Sequence, residues 1–183
     1  AFFERANYTV DFDASQSANK GNAICGDSYE YFMDSKGFVH LILSDGMGSG
    51  GRAAIDSVMT CSLILKLIKA GFGFQAALKL INASLLVKSD DESLATLDVA
   101  RLDLYAGRVE FLKAGSACSF VKRGNHVLQI DSSSLPIGIL QNVEFDTSTL
   151  NIESGDVVVM VSDGVLMTGA DWIESEIENC GGK

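Results

Sequence analysis

Val39-His40-Leu41-Ile42-Leu43-Ser44-Asp45-Gly46-Met47-Gly48-Ser49-Gly50-Gly51 decides how this chain folds. Val39 to Leu43 is an apolar, strand-like run. The glycines after it break the strand pattern. Beyond them Ala54, Val58, Cys61, Leu65 and Ile68 recur at helical spacing, and Gly71 supplies a C-terminal stop. The stretch therefore reads as strand, tight acidic turn and helix.

An Asp-Gly pair taken alone is an ordinary β-turn. Asp45, however, ends an apolar strand, so its carboxylate can project beyond the sheet. Gly46 lets the backbone carbonyl turn toward the same point. The glycine density that follows implies a backbone closely approached by something. It is not a phosphate-binding P-loop, because Arg52 follows where Lys-Ser or Lys-Thr is needed. The dinucleotide-binding spacing is missing as well.

The same design recurs at Val161-Ser162-Asp163-Gly164, after the valine-rich run Val157 to Val161. Gly26-Asp27-Ser28 precedes a further strand-like segment; by itself it is a plain strand-initiating turn. Together, Asp27, Asp45 and Asp163 predict one convergent, oxygen-rich site. Oxygen-only ligation suits hard cations such as Mg²⁺ or Mn²⁺. Two such ions about 3.5–4 Å apart are the usual machinery of phosphate-ester hydrolysis.

Outward from these motifs, alternation predicts strands at Tyr8 to Phe12 and Ser28 to Met33. A second helix is expected over Phe74 to Leu86, with Ala77, Leu80, Ile81 and Leu85 inward. Asp90-Asp91-Glu92 reads as a solvated loop. Strands follow at 95–104, 108–113, 118–122, 126–130, 145–150 and 156–161, with hairpin turns at Tyr105-Ala106-Gly107 and Arg123-Gly124-Asn125. Asp171 is expected to cap a last short helix. This order is α+β with antiparallel sheets, not alternating βαβ. Two sheets face to face with helices outside would bury its apolar residues.

Composition sets the bounds. The 183 residues are 47% hydrophobic and 21% charged, which suits one globular domain over 1–183. A net charge of -10 argues against nucleic acid and against anionic membranes as partners. Cys25, Cys61, Cys118 and Cys180 lack metal-ligand spacing and read as reduced, cytosolic thiols. His40 and His126 read as structural histidines with no acidic or serine partner nearby in sequence. A Ser-His-Asp hydrolase is disfavoured further by the absence of G-x-S-x-G. Met47 reads as a packing residue beside the site. No apolar run is long enough to span a bilayer, since Lys66 and Lys69 interrupt the most apolar helix. The start at Ala1 hints at an excised domain, which leaves room for a membrane anchor elsewhere in a parent protein.

These residues resemble the PPM family of metal-dependent protein serine/threonine phosphatases, in its stage II sporulation protein E branch. Gly26-Asp27-Ser28, Leu43-Ser44-Asp45-Gly46-Met47-Gly48 and Met160-Val161-Ser162-Asp163-Gly164 match the family's acidic motifs in order. Ala95-Thr96-Leu97-Asp98, Phe111-Leu112-Lys113-Ala114-Gly115-Ser116-Ala117 and Ser134-Leu135-Pro136-Ile137-Gly138 resemble the branch's connecting motifs. The resemblance implies an α-β-β-α sandwich with two Mn²⁺ or Mg²⁺ ions at one end. It implies that Asp45 bridges both ions, that Gly46 offers its carbonyl, that Asp163 binds one ion, and that Asp27 ligates directly or through water. It implies in-line attack on phosphorus by a metal-bridging hydroxide, with no covalent phosphoenzyme. The implied substrate is phosphoserine on a regulatory protein of the anti-sigma-factor antagonist type. The family's further terminal acidic motif has no counterpart before Lys183, so the domain reads as truncated at its C-terminal end. That departure keeps a second reading open, a catalytically weak, phosphatase-like signalling or phosphoprotein-binding module.

Overall fold

The computed structural model describes residues 5–18, 24–48, 50–88, 94–142, 145–167 and 169–180. The acidic run Asp90-Asp91-Glu92, Ser49 and the end at 181–183 lie outside them.

Two antiparallel sheets form the middle of the molecule. The larger is built from β1 (Asp27–Met33), β2 (Phe38–Asp45), β3 (Leu97–Asp103), β4 (Arg108–Ala114) and β7 (Asp146–Asn151), in the order β1-β2-β3-β4-β7. The smaller contains β5 (Ser119–Arg123), β6 (His126–Ile130) and β8 (Val157–Met160), ordered β6-β5-β8. Helices α1 (Gly51–Lys69) and α2 (Phe74–Lys88) cover the outer face of the first sheet. The single turn α3 (Asp163–Leu166) and the helix α4 (Asp171–Asn179) belong to the second.

Three apolar layers hold this arrangement together, and each arises from the period of the sequence. Cys61, Ile64 and Ile68 of α1 and Leu78, Ile81 and Leu85 of α2 pack on Ile42, Leu97, Val99 and Leu112. The opposite faces of the same strands send Val39, Ala100, Leu102, Val109 and Phe111 against Val121 and Ile130 of the second sheet. Phe120 and Cys118 then meet Ile173 and Ile177 of α4. Alternate residues of β3 and β4 thus feed two different cores, as a strand period of two requires. The result is the expected α-β-β-α sandwich.

Several local expectations are corrected. Tyr8 to Phe12 is not a strand. Its backbone makes no ladder; Asn7 and Tyr8 only donate to the Leu104 carbonyl. The alternation there reflects side-chain packing: Tyr8 and Val10 join the inter-sheet core, and Phe12 stacks on Tyr31 at 4.4 Å. In α1 the buried stripe runs through Ala53, Ser57, Thr60, Cys61, Ile64 and Ile68, while Val58 is 51% exposed. In α2 Leu78 is buried, and Leu80 is half exposed. Asp171 is the first residue of α4 and caps nothing; its carboxylate sits in the first turn, where the helix dipole favours an anion. All four cysteines carry free thiols. The Cys61 thiol, buried against the Ser28 carbonyl, is pushed up to about 12 by burial.

Candidate active site

The first two acidic motifs meet through the β1–β2 ladder. Asp27 and Asp45 are directly opposite in its register, so their side chains leave the same face of the sheet. Gly46 extends the contact by donating its N–H to the Gly26 carbonyl at 3.3 Å.

β3 fixes the end of β2. The Asp45 N–H donates to Thr96 Oγ1 at 3.0 Å, and the Thr96 N–H donates back to the Asp45 carbonyl at 2.8 Å. Ser44 Oγ donates to the Thr96 carbonyl at 2.7 Å. The Asp45 backbone is therefore satisfied on both sides, and only its carboxylate is left to act.

The third motif arrives from the other sheet. β8 ends at Met160, Ser162 takes an extended conformation before α3, and Asp163 opens that helical turn. Ser162 Oγ donates to Asp27 Oδ2 at 2.8 Å across 135 positions of sequence. Asp163 comes close enough to the Asp45 carboxyl to act on it. Burial, then the Asp163 hydrogen bond and the Asp27 charge, push Asp45 up to about 8. The structure thus brings Asp27, Asp45 and Asp163 together, with Gly46 beside them. Asp45 and Asp163 line a cavity with Thr96, Asp98, Ser116 and Ser162 as further polar walls, and Asp27 is joined to that wall through Ser162.

The donor chemistry suits a hard cation. A Cβ placed on Gly26 would stand 3.6 Å from Asp45 Oδ1 and 3.7 Å from the Gly46 carbonyl oxygen. The space that Gly26 leaves open is bordered by two oxygen atoms. Among the described residues no three His, Cys, Asp or Glu side chains form a ready ligand cluster. Like-charged carboxylates this close hold together only by sharing protons or a cation.

Gly46 and Gly50, two of the glycines that follow Asp45, differ in purpose. A Cβ on Gly46 would lie 1.9 Å from the Ala53 carbonyl oxygen, so its absence lets the first turn of α1 close onto the site. Gly50 precedes α1 with φ 78 and ψ -154, a conformation essentially reserved for glycine.

Other sequence candidates fall elsewhere. His40 sits at the opposite end of β2 and pairs with Asp34 at 2.9 Å, an acidic partner hidden by the hairpin between them. His126 is exposed at the start of β6. Met47 is 50% exposed and does not pack as expected. Sequence reasoning assigned no role to Thr96 or Ser162, nor to the buried ion pair of Asp98 and Lys113 at 2.5 Å. Little signal was available, because both strands carry other charges, Arg101 and Asp103 in β3 and Arg108 and Glu110 in β4.

Comparison with known proteins bears on this geometry. The family profile of Stage II sporulation protein E (SpoIIE) matches residues 35–178. Stage II sporulation protein E of Priestia megaterium is 39% identical over 158 residues, covering 86% of this chain and 27% of that protein. Phosphoserine phosphatase RsbU of Bacillus subtilis (strain 168) is 25% identical over 142 residues, 76% of this chain and 42% of that one. This chain therefore spans only part of the relatives it matches. The structure of the PP2C phosphatase domain of SpoIIE from Bacillus subtilis, with a fragment of its regulatory domain, superposes with a TM-score of 0.82. It shares 32% identity and covers 91% of this chain and 50% of that one. The profile match, the curated relative and the shared two-sheet sandwich agree: the chain belongs to the stage II sporulation protein E family and has the fold of its PP2C phosphatase domain.

Proposed function

We propose that this chain is a metal-dependent phosphoserine protein phosphatase, with Asp45, Gly46, Asp163 and Asp27 as the residues that hold two Mn²⁺ or Mg²⁺ ions. The convergence of three carboxylates from both sheets, two of them lining one cavity, carries the reading. Its support from kinship is membership of the SpoIIE family and the likeness to a phosphoserine phosphatase, RsbU. The substrate is a phosphorylated regulatory protein, of the anti-sigma-factor antagonist type that the motifs imply.

Bound at these oxygens, two divalent cations supply Lewis-acid charge for the phosphoryl group and an acidified water as nucleophile. The protein's own part is positional. Thr96 holds the Asp45 backbone from both sides. Ser162 orients Asp27 through its hydroxyl. The chain's net charge of -10 disfavours the approach of a dianionic phosphate overall, and bound cations would reverse the field at the site.

The test is phosphate release from a phosphoserine protein with and without added Mn²⁺. Mn²⁺-dependent release that chelator abolishes is expected. No release in either condition, together with retained binding of the phosphoprotein, would replace this reading with a phosphoprotein-binding module.

A further inference from the structure

Lys113 and Asp98 are a cross-strand pair on β4 and β3, and both side chains are 1% exposed. The Lys113 ammonium donates to Asp98 Oδ2 at 2.5 Å, to the Ala117 carbonyl at 2.8 Å and to Ser119 Oγ at 2.9 Å. Ser119 Oγ donates to the same Asp98 oxygen at 2.6 Å. The ammonium also reaches Ser116 Oγ at 3.4 Å, so two of its four acceptors, on Ser116 and Ala117, belong to the segment that joins β4 to β5.

That segment is a wall of the cavity. Gly115, Ser116 and Ala117 line it, facing Asp45 and Asp163, and Asp98 lines it too. Its far side is also fixed, because a Cβ on Gly115 would lie 2.4 Å from the Pro136 nitrogen. Asp98 Oδ1 is buried and has no hydrogen-bond partner.

Stability does not account for this arrangement. Burying an ion pair costs much of what the pairing returns, and apolar replacements of similar volume are often neutral or stabilising. A pair kept only for the core would not leave one carboxylate oxygen unused beside a cavity.

We propose that Asp98 and Lys113 are positioning residues for the phosphatase site, with Lys113 drawing the Ser116–Ala117 wall onto β3 to set the width of the cavity over Asp45. This rests on the phosphatase reading above, and the wall itself can be tested without it.

The paired variant Asp98→Leu/Lys113→Met removes both charges, and Ser119→Ala removes one shared partner. In metal-free protein, amide hydrogen exchange at Ser116 and Ala117 should accelerate about tenfold in the paired variant, with a thermal midpoint no lower than the parent's. With Mn²⁺ and phosphorylated casein, kcat should fall at least about tenfold while KM stays within about twofold. Unchanged exchange at Ser116 and Ala117 would overturn the proposal, and so would faster exchange with unchanged kcat. If the paired variant does not fold, Ser119→Ala decides by the same two readouts. A parent protein that releases no phosphate would sink the phosphatase reading, and the exchange result would still judge the wall.

Discussion

Asp27 and Asp45 stand directly opposite each other at the open end of the β1–β2 ladder, two acidic residues where a cross-strand pair normally gains from unlike charges. The pair works against the sheet that carries it, and Asp163 adds a third carboxyl to it. Stability and function therefore pull in opposite directions at this point.

Asp45→Asn is expected to separate them. Removing the shared carboxylate should cut Mn²⁺-dependent phosphate release by at least about 100-fold. In EDTA near neutral pH the same variant should be more stable, by at least about 0.5–1 kcal/mol, because an amide escapes the cost of folding a carboxyl whose pKa is pushed up to about 8. A calorimetric midpoint raised by about 1–4 °C would register that gain. Near-normal turnover would remove Asp45 from the ligand set.

Thr96→Val keeps the shape of the side chain but takes away the acceptor for the Asp45 N–H. The expected cost is about 1 kcal/mol in urea unfolding. Activity should fall about tenfold, because the carboxylate loses the frame that aims it. A variant with normal activity would mean that the β2–β3 ladder alone fixes Asp45.

Gly46 and Gly164 occupy matching places in two similar motifs, yet their substitution should differ. Gly46→Ala drives a methyl into the Ala53 carbonyl and should destabilise by about 1–3 kcal/mol while shifting α1. Gly164→Ala meets open space inside a helical turn and should be neutral or stabilising by a few tenths of a kcal/mol. Comparable losses in both variants would contradict this packing.

The hairpin pair of His40 and Asp34 predicts an acid-side loss of stability. Burial holds the His40 pKa below 6.5, and the Arg101 charge lowers it further against the pull of Asp34. As pH falls below about 6.5 the unfolded histidine takes a proton that the folded one refuses, so folding weakens. Burial acts to raise Asp34, but hydrogen bonds from His40, Lys36 and Phe38 outweigh it and hold it below 3.8. Its contribution is present above that value and is lost as pH falls further. His40→Gln should flatten the slope between about pH 6.5 and 5, measured as the difference in urea midpoint from the parent. An identical slope in both proteins would show that other groups set it.

Much of this molecule was readable in the chain itself. Local rules decide where a strand ends in glycine or a helix begins: the apolar run Val39 to Leu43, the glycines after Asp45 and the helical period from Ala54 needed no partner to be recognised. The acidic motifs at Asp27, Asp45 and Asp163 were equally legible, because a carboxylate beside glycine at a strand end is a local feature. Tertiary structure alone decided what meets what. Tyr8 to Phe12 alternates like a strand but finds no ladder, since pairing depends on a neighbour's free edge. Val58 and Leu80 satisfy a helical period yet face solvent, because the sheet chooses which stripe it covers. Thr96 reaches Asp45, and Ser162 reaches Asp27, only after strands distant in sequence are placed side by side. Lys113 and Asp98 look like ordinary strand charges until the β3–β4 register sets one against the other inside the fold. Periodicity carries information about one element at a time, whereas hydrogen bonds and ion pairs between elements exist only in the packed fold.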